Sequence, residues 1–340
     1  MMKRLIPGVI LTAATLTASV SAAASTLETV TERGELVCGV APALPGFSAR
    51  DANDVWQGFD VALCRAVAAA VLEDPMAVRF VPATGHDRFE VLQNGEVDLL
   101  ARNLSWSFDT EVDRGIAFAG VSFHDAQGFM AHRDAGISAA TDLEDATICV
   151  EAGTAAQARL AEYAARNDLS HEAMDVESRA AARDRYRAGD CVVYTAPTST
   201  LSATRAGFGD PDAHVVLSET ISRDSFGPAV RDDDTAWAAI VRWVLFALIA
   251  AEELGVTSAN LDELSGTAEN REVKNLLGTE GTFGDRLGLD AAWAQRAIAA
   301  GGNYGEIFAS HIGEQTPIGL VRGLNAQWTD GGLIYAMPFR

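Results

Sequence analysis

Hydrogen-bonding side chains cluster directly after a short apolar segment near residue 100. Residues 97–101 predict a buried strand, and Arg102, Asn103 and Ser105 follow it at once. Open α/β sheets bind ligands at the carboxyl ends of their strands. Ser105 and the backbone of residues 103–105 are therefore the strongest ligand-binding candidates, whereas Arg102 is either a ligand contact or half of a surface ion pair.

Three other side chains are candidates because of their places in loops and at a helix start. Phe47 lies in a loop over residues 41–55 and either covers the apolar part of a ligand or packs on its own lobe. Asp60 either receives a ligand cation or complements a helix dipole from the first turn. His86, on a loop facing the expected cleft, is either a ligand contact or a structural residue.

The elements that must position these residues alternate between strand and helix. This order is typical of a parallel sheet flanked by helices. The first hundred residues predict strands at 36–40, 78–81 and 97–101 and helices at 61–72 and 89–94. A second series predicts strands at 147–150, 191–194 and 214–217 and helices at 154–167 and 179–188. The chain of 340 residues is long enough for two such lobes.

The amino terminus has the pattern of an export signal. Lys3 and Arg4 precede an uncharged apolar run over residues 5–20, and small residues follow at 21–24. We expect residues 1–24 to be a cleaved signal peptide, with a membrane anchor as the alternative. The net charge of −21 argues against nucleic-acid binding, because no basic surface is available for phosphates.

The four cysteines predict two disulfide bonds, since an exported chain meets an oxidising compartment. Four cysteines allow three pairings. We expect Cys38–Cys64 and Cys149–Cys191, one in each lobe, with four buried thiols as the alternative. No Cys-x-x-Cys spacing occurs and the histidines are scattered, so we expect no metal and no cofactor.

Two segments are predicted to connect the lobes. Gln127, Gly128 and Phe129 form the first expected hinge, and Gly227 and Pro228 form the second. Residues 25–128 then begin lobe 1, residues 129–225 form lobe 2, and residues 226–340 return to lobe 1 and extend it. The apolar segment at 237–254 carries Arg242 and is too short for a bilayer span, which favours a buried helix.

This arrangement resembles the periplasmic solute-binding proteins of ABC transporters, in the general L-amino-acid-binding branch of family 3. The resemblance runs from about residue 33 to the end. Its motifs are Gly39 and residues 45–48, 64–70, 102–103 with Trp106, 127–130, 227–231, 251–258, 303–306 and 322–325. It implies a type II two-lobe fold with two hinge crossings and a helical C-terminal extension. It also implies that the lobes close around one small ligand.

The resemblance implies a ligand clamp that this sequence keeps only in part. Family members hold an amino acid with an Arg and a Thr on the carboxylate and an acid on the ammonium. Thr154 matches the Thr, but Thr110 stands at the position of the Arg and Pro197 at that of the acid. Three explanations remain open: Arg102 or Arg114 rebuilds the carboxylate contact, the ligand is not a free α-amino acid, or binding has been lost.

The expected function is capture of a small polar solute, an amino acid or a similar compound, for an ABC importer. Its expected partners are the small-molecule ligand and a permease in the inner membrane, with a monomeric chain in the periplasm. The alternatives are a non-amino-acid ligand on the same fold, or a periplasmic dehydratase-like enzyme. No Gly-x-Ser-x-Gly, phosphate loop or His-Glu-x-x-His motif supports the enzyme.

Overall fold

The chain folds into two α/β lobes, each built on a five-stranded sheet. The structure, a computed structural model, describes residues 24–84 and 87–340. The expected signal peptide therefore lies outside the described residues except for Ala24, and His86 lies outside them too. The strands of the first sheet lie in the order 78–82, 36–40, 99–100, 229–231 and 116–118. Those of the second sheet lie in the order 171–176, 146–151, 193–197, 127–132 and 214–216.

Lobe 1 comprises the segment before the first crossing and everything after the second. Its strands are β1 (Leu36–Val40), β2 (Ala49–Arg50), β3 (Trp56–Gln57), β4 (Val78–Pro82), β5 (Leu99–Leu100), β6 (Ile116–Phe118) and β14 (Ala229–Arg231). Its first helices are α1 (Thr26–Arg33), α2 (Phe59–Leu72), α3 (Arg88–Gln93) and α4 (Phe108–Val112). Strands β4, β1 and β5 run parallel, so their carboxyl ends share one edge.

Helix α2 shows how local sequence sets the position of a candidate residue. Its Ala-rich sequence favours a helix, and eleven of its fourteen residues are buried against the sheet and neighbouring helices. Its N-cap residue is Gly58, which has a φ of 128°. A Cβ on Gly58 would lie 2.3 Å from the carbonyl oxygen of Phe47, so only glycine lets the loop meet the helix here. This close approach places Asp60 in the first turn.

Lobe 2 has the same alternation of strand and helix. Its strands are β8 (Gln127–His132), β9 (Ala146–Glu151), β10 (His171–Val176), β11 (Val193–Pro197) and β12 (His214–Val216). Its helices are α5 (Ala155–Arg166), α6 (Arg179–Ala188) and α7 (Thr198–Ala206). Strands β10, β9 and β11 run parallel. Strand β10 was not predicted from the sequence, because it is a partly exposed edge strand with no apolar alternation.

Both expected disulfide bonds are present. Cys38 on β1 is joined to Cys64 on α2, and Cys149 on β9 is joined to Cys191. Each bond lies within one lobe and ties a central strand to a neighbouring element. The cysteines of the described chain therefore cross-link each lobe internally and leave the connection between the lobes unlinked.

The lobes are connected by two short antiparallel strands, β7 (Phe123–Asp125) and β13 (Asp224–Phe226). The crossing therefore lies just before the expected Gln127–Phe129 segment, because those residues already pair with β11 inside the lobe 2 sheet. Gly227 and Pro228 lie between β13 and β14, on the lobe 1 side. A Cβ on Gly227 would lie 2.0 Å from the carbonyl oxygen of Gly120, so this position requires glycine for close backbone packing.

Lobe 2 holds both crossing strands by their acidic residues. Asp125 accepts hydrogen bonds from the backbone N–H of Ser199 and from the hydroxyls of Thr198 and Ser199 at the start of α7. Asp224 forms a bidentate ion pair with Arg159 on α5, at 2.7 and 2.8 Å. These bonds fix the lobe 2 end of each strand to a helix of that lobe.

The chain after β14 forms the helical side of lobe 1. Helix α8 (Thr235–Glu253) is long and apolar enough to cross a membrane, but it lies mostly buried inside lobe 1, as its sequence predicts. The C-terminal extension follows. It consists of α9 (Leu261–Thr267), α10 (Arg271–Leu276), α11 (Phe283–Leu287), α12 (Trp293–Ala299), α13 (Tyr304–His311) and the tail over residues 312–340.

The extension also contacts the first crossing. The side chain of Asn325 accepts a hydrogen bond from the backbone N–H of His124 at 2.6 Å and donates to the carbonyl of His124 at 2.9 Å. The hydroxyl of Tyr304 donates to the carbonyl of Ser122 at 3.0 Å. Strand β7 is thus bonded to β13 on one edge and to Asn325 on the other.

We predict that Asn325→Ala destabilises the protein by about 1–3 kcal/mol, because it leaves two backbone groups of β7 without their partner. Urea unfolding followed by circular dichroism measures this difference. Asn94→Ala, at an exposed helix end, is the control and should change the free energy of unfolding by less than about 0.5 kcal/mol. Equal effects of the two variants would show that Asn325 does not hold the crossing.

Candidate functional site

Charged residues follow each parallel strand of lobe 1 at the same edge of the sheet. Asp60 opens α2 after β1, Arg88 opens α3 after β4, and Arg102 directly follows β5. The carboxyl ends of parallel strands lie side by side, so these three residues converge at one edge. This edge is the candidate ligand site of lobe 1.

Asp60 is a carboxylate buried without a protein partner for one of its oxygens. The residue is 5% exposed, and its Oδ2 has no hydrogen-bond partner among the described residues. Burial raises the pKa of Asp60 to about 7, and the nearby Arg102 opposes this shift. An acid in this state gains most from an incoming cation, which would restore the interactions lost on burial.

Arg102 and Asn103 are polar residues with similarly unmet hydrogen-bonding capacity. Within the described part of the chain, Arg102 Nε and both Oδ1 and Nδ2 of Asn103 are buried and lack a partner. Burial, with the neighbouring Arg88 and Arg179, lowers the pKa of Arg102 to about 9, so the guanidinium remains charged at neutral pH. Asn103 adopts a φ of 53°, a left-handed conformation that asparagine tolerates better than most residues.

Lobe 2 presents a matching edge. Glu151 ends β9, Thr154 caps α5, and Arg179 opens α6 after β10. The Thr154 hydroxyl donates to the carbonyl of Glu151 at 2.7 Å, and Arg179 Nε lies 3.6 Å from Glu151 Oε2. Gln127 donates to Ala156 and Thr195 through Nε2, while its buried Oε1 has no partner in the described chain.

The two edges are close enough to interact electrostatically. Arg179 of lobe 2 lowers the pKa of both Arg88 and Arg102 of lobe 1, in each case after burial as the main cause. Glu151 of lobe 2 raises the pKa of Arg88. The residues after the parallel strands of both lobes therefore lie within electrostatic range of one another. We refer to the space between these two edges as the cleft between the lobes.

Two further sequence candidates, Phe47 and Ser105, make contacts of their own in the structure. Phe47 is fully buried in the core of lobe 1, where its ring contacts Phe59 and Phe123 at centroid distances of 6.2 and 5.4 Å. This packing matches the alternative given for Phe47, and a ligand contact of Phe47 stays a prediction. Ser105 uses its backbone to bridge Phe226 of β13, which anchors the loop after β5 to the second crossing.

Neither of the two residues at the incomplete clamp positions, Thr110 and Pro197, is charged. Thr110 lies in α4, and its hydroxyl contacts the capping Ser107 Oγ at 2.7 Å. Pro197 ends β11 opposite Gln127. Arg114 is exposed, with its guanidinium 5.4 Å from the ring centre of Phe89. Of the two arginines considered as replacements, Arg102 is the one beside the buried acid Asp60.

Four groups at these strand ends were not predicted from the sequence: Arg88, Glu151, Arg179 and the side-chain oxygen of Gln127. A usable signal existed for three of them, since each is the last residue of a parallel strand or the first residue of the helix that follows it. Applying the strand-end rule to every strand, rather than to β5 alone, would have found Arg88 and Glu151. Arg179 also required strand β10, which the sequence pattern does not reveal.

A separate groove lies on the C-terminal extension. It has a volume of about 570 Å³ and is lined in part by Glu253, Glu272, Trp328, Tyr335 and Arg340. None of the residues of the cleft between the lobes lines it. The groove lacks the buried, unpartnered polar groups of the cleft, which remains the candidate site.

Comparison with known proteins defines the class to which this fold and cleft belong. Residues 36–259 match the bacterial extracellular solute-binding proteins, family 3. The chain belongs to this family, and the resemblance found in its sequence is confirmed. A type II periplasmic binding fold with a helical C-terminal extension agrees with this assignment.

Similar proteins extend the match to nearly the whole chain. The glutamate/glutamine/aspartate/asparagine-binding protein BztA of Rhodobacter capsulatus is 49% identical over 94% of this chain and 95% of its own. The general L-amino acid-binding periplasmic protein AapJ of Rhizobium johnstonii is 43% identical over 96% and 97%. Both relatives are named as amino-acid-binding proteins, and AapJ is named as a periplasmic protein.

A solved structure shows the same similarity in three dimensions. It is an ABC transporter periplasmic binding protein from Brucella ovis with glutathione bound. The two structures align with a TM-score of 0.89 and 43% sequence identity, over 93% of this chain and all of the Brucella chain. The similarity therefore includes the C-terminal extension as well as the two lobes.

We predict that Asp60→Asn stabilises the ligand-free protein at pH 8. Because folding raises the pKa of Asp60 from 3.8 to about 7, its contribution to stability is greatest at low pH and declines as pH rises toward 7. Asn removes this decline, so the variant should gain about 1–3 kcal/mol at pH 8 and much less at pH 5.

Urea unfolding at the two pH values checks this expectation. Glu32→Gln, which removes an exposed carboxylate from α1, is the matched control and should show no such pH-dependent gain. A gain for Asp60→Asn that is equal at pH 5 and pH 8 would contradict the burial of a titrating carboxylate.

Proposed function

We propose that this protein binds a free amino acid, or a compound that carries the same ammonium and carboxylate groups, in the periplasm and delivers it to an ABC importer. The observation that carries the proposal is the buried Asp60 near the half-buried Arg102, each with a buried polar atom that has no partner in the described chain. The names of the relatives, which specify amino acids, support the same ligand class.

The two charged residues supply the two halves of a zwitterion clamp. Asp60 accepts the ligand ammonium, and Arg102 donates to the α-carboxylate, with Asn103 able to bond either group. Arg102 thus takes over the task of the arginine that Thr110 replaces, and Asp60 takes over that of the acid that Pro197 replaces. Both new positions lie on lobe 1, so the ligand binds first to this lobe.

Lobe 2 then closes over the ligand. Thr154 is the N-cap of α5 and makes no side-chain capping bond within the described chain, and the first backbone N–H groups of a helix suit a carboxylate. Closure requires bending where the lobes connect, and we propose that β7 and β13 bend, with the adjacent Gln127, Gly128, Phe129, Gly227 and Pro228 adjusting beside them. The disulfides do not resist this motion because each lies within one lobe.

The remaining features of the proposal follow from membership of the extracellular solute-binding family. Residues 1–24 direct export and are cleaved, the mature chain is a monomer, and its partners are the ligand and the permease of the importer. The protein binds without chemical conversion and without nucleic acid or a cofactor. The relatives are periplasmic binding proteins, which supports this reading.

A γ-glutamyl peptide is the second candidate ligand. The Brucella ovis protein, 43% identical, was solved with glutathione bound. Glutathione carries an α-ammonium and an α-carboxylate at its glutamyl end, so the same clamp on lobe 1 could hold it. This candidate differs from a free amino acid only in what extends beyond the clamp.

Calorimetry on ligand-stripped mature protein tests the proposal, with the twenty amino acids and reduced glutathione as ligands. We expect binding of at least one of them, and we expect Arg102→Gln to weaken that binding at least tenfold, about 1.4 kcal/mol, because a carboxylate loses its charged partner. Arg205→Gln, on α7, is the matched control and should retain wild-type affinity. If none of these ligands binds, the proposal fails.

The clamp also predicts a pH dependence of affinity. Below about pH 7, Asp60 becomes protonated and no longer attracts the ligand ammonium, so affinity should fall by up to tenfold per pH unit between pH 7 and pH 5. Affinity should level off above pH 7. In Asp60→Asn, binding should be weaker and should lose this dependence; a pH dependence that persists in the variant would assign it to another group.

A further inference from the structure

Gln127, the first residue of β8, carries a buried hydrogen-bond acceptor that the described chain leaves unused. The residue is 1% exposed, and its side-chain Oε1 has no hydrogen-bond partner among the described residues. A buried acceptor without a donor costs free energy, because it has lost its water and gained no replacement. The proposed clamp on lobe 1 gives this oxygen no role.

The other polar groups of Gln127 are all bonded. Its backbone N–H donates to Ser222 Oγ at 2.9 Å, and its carbonyl accepts from the backbone N–H of Ile221 at 2.8 Å. Its Nε2 donates to the carbonyl of Ala156 at 2.9 Å and to Thr195 Oγ1 at 3.0 Å. Both hydrogens of Nε2 are therefore used, and Oε1 is the one group left for another molecule.

The contacts of Nε2 also fix the orientation of the side-chain amide. The carbonyl of Ala156 accepts hydrogen bonds and cannot donate. The hydroxyl of Thr195 donates its hydrogen to the carbonyl of Gly128 at 2.8 Å, so it accepts from Gln127. Turning the amide by half a rotation would place Oε1 against two acceptors and lose both hydrogen bonds. Oε1 therefore stays on the side of the amide away from these two acceptors.

Gln127 lies at the edge of lobe 2 where the parallel strands end. It pairs with Pro197, the last residue of β11, and its Nε2 contacts the first turn of α5, the helix that follows β9. The side chain of Pro197 is a hydrocarbon and donates no hydrogen bond to Oε1. Gln327 also has a buried Oε1 without a described partner, but it lies in the C-terminal extension. The position of Gln127, and not burial alone, therefore assigns it to the cleft.

Contacts through the crossing strands connect Gln127 to the lobe 1 side of the cleft. Gln127 follows β7 after one intervening residue, and β7 pairs with β13. Ser105 bridges Phe226 of β13 through its backbone. Ser105 belongs to the loop after β5, which also carries Arg102 and Asn103. The loop with the unpartnered groups of lobe 1 is therefore bonded to the strand pair that leads to Gln127.

We propose that Gln127 Oε1 accepts a hydrogen bond from an N–H group of the ligand, which makes Gln127 a binding residue of lobe 2. The inference rests on the proposed function and adds a contact to the same site. An amino acid offers its ammonium, whereas glutamine, asparagine and glutathione also offer amide N–H groups. Opening of the lobes gives the ligand access to Oε1, and closure buries the new hydrogen bond.

A crystal structure of the wild-type complex tests the proposal directly. The ligand is the tightest binder among the twenty amino acids and reduced glutathione, as ranked by calorimetry. We expect a nitrogen of this ligand within about 3.2 Å of Gln127 Oε1. The identity of that nitrogen, ammonium or amide, establishes the source of the donor. An Oε1 that binds only an ordered water, or still has no partner in the complex, refutes the inference.

Gln127→Leu tests the same contact by affinity. The variant replaces the amide by an apolar group of similar volume, so binding of that ligand should weaken at least tenfold, because a ligand N–H loses its acceptor. Thr195→Val removes one acceptor of Nε2 but keeps Oε1. Gln295→Leu makes the same substitution on α12, outside the cleft. Both controls should change affinity less than threefold, and circular dichroism establishes that each variant is folded.

The outcomes distinguish this inference from the function on which it rests. If a ligand binds and the folded Gln127→Leu variant loses less than tenfold in affinity, the contact is refuted and the amino-acid-binding function stands. If Thr195→Val weakens binding as much as Gln127→Leu, Gln127 acts by supporting α5, and the inference is again refuted. If Gln127→Leu does not fold, the wild-type complex decides alone. If none of the ligands binds, the proposed function fails and the inference falls with it.

Discussion

Burial of charge without a protein partner is the constraint on which the cleft depends. Asp60 and Arg102 lie near each other, yet each retains a polar atom without a hydrogen bond in the described chain. Such groups cost free energy in the empty protein and recover it when a ligand supplies the missing partners. In the proposed function, this recovered free energy contributes to ligand binding at one edge of one sheet.

Two parallel sheets make this arrangement possible. In each lobe, the strands deliver their following residues to a shared edge, and the crossing strands β7 and β13 set those edges opposite each other. Arg88, Arg102 and Arg179 come from three different strand ends and are far apart in sequence. The carboxylate of the proposed ligand offsets part of the repulsion between these positive charges.

The connection between the lobes is fastened to both lobes. Asp125 and Asp224 fasten the crossing strands to helices of lobe 2, while Asn325 and Tyr304 fasten β7 to the C-terminal extension of lobe 1. The C-terminal extension therefore contacts the connection between the lobes as well as lobe 1. Asn325 and Tyr304 of the extension bond to the β7 segment, which connects the two lobes. The last part of the chain is therefore linked to the position of the lobes on either side of the cleft.

Local sequence determined much of the architecture. The alternation of apolar strands and Ala-rich helices predicted two α/β lobes, because burial of one face sets the hydrophobic period of each element. The cysteines lay on predicted strands and on a helix next to one of them, so their pairing could be expected within each lobe. The strand-end rule likewise predicted Arg102 and Asn103 as site residues, and the helix-start argument predicted Asp60.

Tertiary structure decided which side chains face each other. Phe47 occupies a loop typical of ligand contacts, yet the ring packs against Phe59 and Phe123, and no local pattern distinguishes these two places. The crossing lies at β7 and β13 rather than at the glycines beside them, because pairing between strands a hundred residues apart fixes it. Arg88 and Arg179 come within electrostatic range only through the approach of two lobes. Sequence determines the hydrophobic periodicity and the charge of each helix and strand. The approach of charged residues that are distant in sequence depends on how the two lobes pack, which no single segment encodes.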